Sequence, residues 1–258
     1  MLGSHSKLSI AQIVFYVPVT VTALYLACYR HKRPRMAWII LTFFSLIRIT
    51  AGILVIISEK SSSLGVMIAS VIFLNAGMFP LIAATMGFIR IILALERNMN
   101  RQIQQCLVVS RFLFIAGIAL TVAGGALEGS DTTSDVLIGV KLVKAGYIIV
   151  VVFLGCLLAI QGYFWTQRSS LSATSRTILN STALATPFIA VRIVYLFLSV
   201  FHPSDLRWSD LRGPIAPFLT MGLLMEYSVV LIYLITGFLI PSWKNIEKPE
   251  ILLDDATR

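Results

Sequence analysis

The stretch Phe218–Phe238, FLTMGLLMEYSVVLIYLITGF, decides the fold expected for this chain of 258 residues. It is apolar over about 20 residues, the length that an α-helix needs to cross a bilayer. Near its middle, however, stands one carboxylate, Glu226, with Tyr227 beside it. An ionisable side chain at that depth is costly, so it normally faces the inside of a helix bundle, where it has a partner and a function. We therefore expect a membrane protein built around a polar centre that contains Glu226.

Two arginines are the expected partners of Glu226. Arg48 lies in TFFSLIRITAGILVI and Arg192 in PFIAVRIVYLFLSV, and both are central in apolar stretches. Counted at 1.5 Å per residue, Arg48, Arg192 and Glu226 lie about twelve, fourteen and eleven residues into their spans. Asn75 reaches a similar depth in another span, and Tyr195 shares a helical face with Arg192 because it is three residues further on. The sequence predicts that these groups meet in one site near the middle of the membrane.

Composition supports a membrane protein. Hydrophobic residues make up 57% of the chain and charged residues 13%, with a mean hydropathy of +0.87, whereas soluble domains contain about 45–50% apolar and 25% charged residues. The net charge of +9 would suit nucleic acid, but Lys and Arg lie mainly in short loops between apolar segments. Such loop charges are the topology signal of membrane proteins. The sequence therefore excludes a nucleic-acid-binding protein.

Seven apolar segments divide the chain, which predicts an all-α fold: a seven-helix transmembrane bundle over residues 1–241. Pro80 and Pro187 are expected to kink their helices, because each removes an intrahelical hydrogen bond. The connections are short, so neighbouring helices should be antiparallel. The predicted spans are about 8–29, 36–58, 64–94, 105–127, 137–164, 178–201 and 215–240, and a polar tail follows at 242–258.

Loop charges predict the orientation of the bundle. The first, third and fifth loops and the tail are rich in Arg and Lys, beginning with RHKRPR at 30–35. The loops on the opposite side carry fewer basic residues, and these are accompanied by Asp and Glu. The positive-inside rule then places the N-terminus outside or in a lumen and the C-terminal tail in the cytosol.

Most familiar catalytic motifs are missing. The chain has no HExxH, no GxSxG, no Cys/His cluster and none of the Asp-rich motifs of prenyl-diphosphate enzymes. Its three histidines are scattered among the N-terminus and the loops, so we expect no metal site. No lysine stands in the middle of the seventh span, where a retinal Schiff base would need one. Any chemistry is therefore expected to use side chains alone, with no cofactor.

Two interpretations of the polar centre stay open. In the first, Glu226 and one arginine form a structural pair that fixes helix register. In the second they line a site, since two arginines against one carboxylate leave a positive excess that a structural pair would not need. A carboxylate can then act as base or acid, and arginines can stabilise developing negative charge. The second interpretation makes Glu226, Arg192, Arg48 and Tyr227 catalytic, and Asn75 and Tyr195 substrate-binding.

A family resemblance lies in five segments that occur in this order: SIAQIVFYVPV, WIILTFFSLIRITAG, LNAGMFPLIAATMGFIRI, PFIAVRIVY and LMEYSVVLIYLITG. With them, nearly the whole chain resembles a family of small seven-span fungal integral-membrane proteins, known mainly as a domain of unknown function and often encoded beside secondary-metabolite genes. The architecture is similar to that of fungal membrane-bound terpene cyclases and of membrane proteins proposed to open epoxides. Those cyclases use two carboxylates, whereas here Glu226 lies mid-membrane and Glu59 at an outer helix end.

The resemblance and the polar centre together predict an epoxide hydrolase or cyclase, acting on a lipophilic polyketide or terpenoid in the endoplasmic reticulum or another endomembrane. Its partners would be that small molecule and membrane lipid. A transporter or lipid translocator for an amphipathic anion, a seven-span receptor and a structural subunit are the alternatives. Turnover in detergent without an ion gradient favours the enzyme, and substrate-dependent vesicle flux favours the transporter.

Overall fold

The structure is a computed structural model that describes residues 4–30, 35–60, 64–96, 101–130, 132–202, 213 and 215–241. These residues are almost entirely helical and include no strand. The α-helices are α1 (Ser4–Tyr25), α2 (Met36–Lys60), α3 (Leu64–Ala76), α4 (Met78–Leu95), α5 (Arg101–Leu127), α6 (Thr133–Thr166), α7 (Ala173–Phe201), α8 (Ile215–Pro217) and α9 (Leu224–Leu239), and π-helical segments occupy Leu26–Arg30 and Phe218–Leu223.

Seven helical segments in the described part of the chain are long and apolar enough to cross a membrane. They confirm the predicted all-α, seven-span fold and an integral membrane protein. The predicted tail at 242–258, and many of the loop charges from which we predicted the orientation, lie outside the described residues. The segments are Ser6–Arg30, Met36–Glu59, Gly65–Leu95, Gln102–Leu127, Thr133–Thr166, Ala173–Phe201 and Ile215–Leu239.

The third span is two helices rather than one. α3 ends at Ala76 and α4 begins at Met78, with Gly77 between them. Pro80 is the third residue of α4, where a missing backbone N–H is tolerated because the first turn of a helix leaves its N–H groups unpaired. By contrast, α7 continues from Ala173 to Phe201 through Pro187. The break at Gly77 leaves carbonyl groups of α3 available to side chains from neighbouring helices.

Helices α5 and α6 form the most extensive helix pair, and glycines let them approach closely. A Cβ atom on Gly124 would lie 2.7 Å from the carbonyl oxygen of Gly139, and one on Gly139 would lie 2.7 Å from that of Gly124. Gly117 and Gly146 make a second close approach two helical turns away. Small residues are the usual means of packing helices in membranes, where lipid removes the hydrophobic drive between them.

The buried centre of the bundle lies among α2, α4, α7 and α9, with α1 packed along α2. Trp38 illustrates the density of this core: its ring meets Phe88 edge-on at 5.0 Å and lies against Gly237, where a Cβ atom would be 2.6 Å away. On the outside, α5 exposes large apolar side chains such as Phe112, which is 68% exposed. That surface is suited to contact with lipid.

Candidate functional site

Glu226 lies on the buried face of the last span, in the first turn of α9. Val229 and Tyr233, at helical spacing from it, are fully buried, so α9 presents one face to the bundle. The π-helical segment Phe218–Leu223 directly precedes this helix, and such segments occur frequently at functional sites. Glu226 itself is 1% exposed. The carboxylate therefore points into the bundle, away from the lipid.

Arg48 and Arg192 bind the same oxygen of Glu226. Nη2 of Arg48 donates a hydrogen bond to Oε1, and Nε of Arg192 donates to that oxygen at 2.7 Å. Both arginines are also 1% exposed. Helices α2, α7 and α9 thus bring together three of the predicted site residues, which we call the ion cluster: Arg48, Arg192 and Glu226.

Arg48 also binds the backbone at the helix break in the third span. Its Nη1 donates to the carbonyl oxygen of Leu74 at 2.9 Å, one of the last carbonyls of α3, which the break deprives of an intrahelical donor. Gly77 makes room for the guanidinium, because a Cβ atom there would lie 2.7 Å from Cζ of Arg48. Gln12 of α1 donates to the backbone carbonyl of Arg48 at 2.9 Å. The position of Arg48 is therefore fixed from three helices.

Arg192 is held between an aromatic ring and a glycine. Its Cζ lies 5.3 Å from the ring centroid of Tyr195, a distance at which a cation is attracted to the face of the ring. A Cβ atom on Gly222, in the π-helical segment, would lie 3.1 Å from Nη1. Tyr195, predicted as substrate-binding, is fully buried and packs with Phe218 and Leu74. Tyr195 therefore contacts the ion cluster through Arg192.

Two tyrosines stand beside the ion cluster. Tyr16 of α1 is fully buried and lies near Glu226 and both arginines. Tyr227 is half-buried, stacks on Phe15 at 3.9 Å and meets Tyr16 edge-on at 5.5 Å. The sequence predicted a role for Tyr227 but none for Tyr16. Tyr16 lies in an apolar segment without any charge, although counting its depth would have placed it near the others.

Several polar atoms of this centre have no hydrogen-bond partner among the residues that the structure describes. They are Oε2 of Glu226, Nε of Arg48 and the hydroxyl groups of Tyr16 and Tyr227, and all are buried. Most buried polar groups in proteins are hydrogen-bonded, so each exception needs an explanation. Together these atoms offer one carboxylate acceptor, one guanidinium donor and two hydroxyl groups that can donate or accept.

Among the described residues, Asn75 forms no hydrogen bond with the ion cluster. It lines a separate cavity of about 340 Å³ between α3, α5, α6 and the end of α7, with Thr121, Tyr147 and Glu128 among the polar lining residues. Oδ1 of Asn75 has no hydrogen-bond partner in the described part of the chain. The cavity and the ion cluster nevertheless share the end of α3, because Arg48 binds Leu74, the residue before Asn75.

Two carboxylates outside the spans have shifted pKa values. Burial raises the pKa of Glu128, at the rim of the Asn75 cavity. Burial also tends to raise the pKa of Glu96, but hydrogen bonds from the backbone N–H of Ser172 and the hydroxyl of Ser175, both at 2.9 Å, outweigh it and lower that pKa. Glu96 thereby caps the start of α7 from a different helix. Glu59, at the C-terminal end of α2, accepts hydrogen bonds from Ser6 and lies about 16 Å along the helix from Arg48.

The residues that the structure describes contain no group of three His, Cys, Asp or Glu side chains placed to hold a metal ion. Comparison with protein families matches residues 2–242 to a domain of unknown function, DUF7702. The chain therefore belongs to this family. Neither the curated proteins nor the solved structures gave a match.

Proposed function

For this member of the DUF7702 family, we propose a membrane-embedded enzyme that opens an epoxide on a lipophilic polyketide or terpenoid without a cofactor. One observation carries the proposal: Oε2 of Glu226 is buried and has no hydrogen-bond partner in the described residues, and the same holds for the hydroxyls of Tyr16 and Tyr227. A purely structural ion pair would be expected to satisfy its polar atoms. The groups left over are available to a substrate.

Epoxide opening needs a proton donor at the ring oxygen and a base at the nucleophile. We assign the base to Glu226, whose Oε2 takes the proton from a water or an internal hydroxyl as that oxygen bonds to a ring carbon. The carbon–oxygen bond breaks, and the departing oxygen keeps the electron pair and takes a proton from Tyr16 or Tyr227. Glu226 then returns its proton to the tyrosine. The net reaction adds one water or, in a cyclisation, isomerises the substrate.

The two arginines have an electrostatic role in this scheme. Arginine stays protonated in proteins, so Arg48 and Arg192 do not supply the proton. They hold the carboxylate in one orientation through Oε1 and stabilise the negative charge that develops on the ring oxygen. Preorganised donors in a site without water contribute about 3 kcal/mol each to such stabilisation.

We place the lipophilic body of the substrate in the Asn75 cavity. Its volume of about 340 Å³ is within the range of small-molecule sites, and its polar residues provide the few hydrogen bonds that orient a ligand. Asn75 keeps its proposed substrate-binding role there, at the end of α3 that Arg48 contacts.

The cellular setting is part of the same proposal. The basic loops favour an outside or lumenal N-terminus and a cytosolic tail at 242–258. A lipophilic substrate favours an enzyme in the endoplasmic reticulum or another endomembrane, and the family resemblance favours fungal secondary metabolism. Protease added to sealed vesicles with the cytosolic face outward should remove the tail, and protection of the tail would contradict the orientation.

A lipid translocator or transporter for an amphipathic anion is the second candidate. The observation that favours it is the pair of buried arginines on two different spans, both bound to Glu226. Guanidinium groups bind carboxylates and phosphates through paired hydrogen bonds, and intramembrane charges mark ion and substrate pathways. In this case Glu226 would hold the arginines between transport events and would exchange with the anion.

The test of the enzyme uses purified protein in nanodiscs, without an ion gradient. A panel of lipophilic epoxides, with and without an internal hydroxyl, is incubated and followed by mass spectrometry for addition of water or for an isomer of unchanged mass. Turnover would support the proposal that the protein is an enzyme. If there is no turnover but vesicles show anion-dependent flux, the protein is a translocator and the enzyme proposal is wrong.

Tyrosine variants separate chemistry from packing in the same assay. Tyr16→Phe should keep the melting temperature, because the hydroxyl has no partner among the described residues, but should lower turnover about 10²-fold if it is the donor. Tyr233→Phe is the matched control. Its hydroxyl lies 2.6 Å from that of Thr85, so this variant should lose stability and keep turnover per folded molecule. If both single variants, Tyr16→Phe and Tyr227→Phe, keep full turnover, the tyrosine assignment is wrong.

A further inference from the structure

A second pair of arginines lines a groove that has no part in the ion cluster. Arg90 of α4 and Arg111 of α5 border a cavity of about 540 Å³. Arg90 donates to the sulfur of Met36 at 3.2 Å, a weak acceptor. Neither arginine forms an ion pair with any carboxylate in the part of the chain that the structure describes. Two guanidinium groups therefore face one cavity without an acidic partner there.

Apart from Gln104, the rest of the lining is apolar and partly exposed. Phe112 is 68% exposed, and Val108 and Ile115 are each 50% exposed. Gln104 adds one polar amide to the arginines. Side chains of this kind on the outer face of a span are suited to acyl chains.

The groove lies toward the end of the bundle at which α4 ends and α5 begins. Arg90 is about 8 Å from the end of α4 and Arg111 about 15 Å from the start of α5, at 1.5 Å per residue. Long arginine side chains can extend toward the headgroup region while their stems stay in apolar surroundings. The connection between the two helices, 96–100, contains one acidic residue, Glu96. Its carboxylate accepts hydrogen bonds from Ser172 and Ser175 at the start of α7, and in the described residues it forms no ion pair with Arg90 or Arg111.

We propose that this groove binds an anionic phospholipid, with the phosphate between Arg90 and Arg111 and an acyl chain along Phe112 and Ile115. A phospholipid and a free phosphate ion would be bound in the same way, by short charge-assisted hydrogen bonds from two guanidinium groups to the phosphate. The apolar half of the lining selects a lipid as the source, because a free phosphate ion would make no use of it. Basic pockets of this kind at the membrane surface bind anionic headgroups.

The experiment titrates phosphatidic acid into the detergent-purified full chain and counts bound lipid by native mass spectrometry. The wild type should bind one molecule with high affinity, and the double variant Arg90→Gln with Arg111→Gln should bind it at least about tenfold more weakly. Arg168→Gln is the control, since Arg168 is an exposed arginine that lies over Trp165 and does not line the groove. Melting temperatures are measured for all variants, and Arg111→Gln alone serves if the double variant does not fold.

Three results would overturn the proposal. Equal lipid binding by the folded wild type and the folded Arg111→Gln or double variant would show that the arginines do not hold the phosphate. Displacement of phosphatidic acid by inorganic phosphate at equal concentration would identify a free-phosphate site. Unchanged lipid binding with faster proteolysis of the tail at 242–258 in the folded variants would identify the acidic residues of that tail as the occupant.

Discussion

Arg48 and Arg192 are 1% exposed and share the carboxylate of Glu226. Arg90 and Arg111, by contrast, line a groove toward one end of the bundle and form no ion pair with a carboxylate in the described residues. Arginine thus occupies two different environments in this protein. At the centre of the bundle, other helices must supply the carboxylate, the hydrogen-bond acceptors and the space that a guanidinium group needs, because the bilayer core supplies none of them. At the surface, the side chain can reach the headgroups. The comparison predicts large effects of substitution at the first pair and small ones at the second.

The largest expected effect is that of Glu226→Leu. This substitution leaves two buried arginines without their shared carboxylate, which should destabilise the fold by about 3–5 kcal/mol. Arg111→Leu, which removes a charge from the groove, should change stability by about 0.5 kcal/mol or less. The free energy of unfolding in detergent micelles, from a denaturant titration, compares the two. Equal losses for both variants would remove the distinction between the two arginine pairs.

Gly77→Ala should have the next largest effect. The new methyl group would lie 2.7 Å from Cζ of Arg48 and would have to displace a guanidinium held by Glu226 and Leu74, at a cost of about 1–3 kcal/mol. Gly155 offers a matched control, because nothing outside its own helix lies within 4 Å of a Cβ atom there. Gly155→Ala should be neutral or stabilise its helix by up to about 1 kcal/mol.

The same denaturant titration in detergent measures both glycine variants. A Gly77→Ala protein as stable as the Gly155→Ala control would show that Arg48 has another position of equal energy. The break at Gly77 would then not depend on the ion cluster.

Depth along a helix can be counted from the sequence, and it predicted part of the candidate site. Counting residues placed Arg48, Arg192 and Glu226 at one height, and the structure joins them. Asn75 has a similar height but faces the cavity between α3, α5 and α6. Depth does not give the direction in which a side chain points around its helix. For a helix that is apolar on nearly all sides, the hydrophobic pattern does not give that direction either.

Other features depended on backbone irregularity that composition does not encode. The third span breaks at Gly77, and a π-helical segment precedes Glu226. Each irregularity supplies a glycine that accommodates one guanidinium, Gly77 for Arg48 and Gly222 for Arg192. A glycine three residues before Pro80 was the signal for the break. That these two positions must be glycine, to leave space for a guanidinium group, becomes clear only when the positions of the arginine side chains are known.

The smallest expected effect concerns a carboxylate outside the spans. Hydrogen bonds from Ser172 and Ser175 hold the pKa of Glu96 below its usual value, so its contribution to stability is present above the unfolded-state pKa, about 4.3. It is lost as the pH falls through the lower folded-state pKa. Because Glu96 is partly exposed, the change should be about 0.5 kcal/mol at most. Melting temperature from pH 6 down to about pH 3 should fall less in Glu96→Gln than in the wild type, and parallel curves would contradict this.

The most direct test of the central claim, that the ion cluster performs chemistry, is the turnover of Glu226→Gln. Glutamine keeps an acceptor oxygen for Arg48 and Arg192 but has neither the charge nor the titratable proton. With an epoxide that the wild type converts, turnover per folded molecule in nanodiscs should fall by about 10² to 10⁴. The folded fraction is measured on the same sample, so that lost stability is not counted as lost chemistry. A folded Glu226→Gln protein with wild-type turnover would contradict the account.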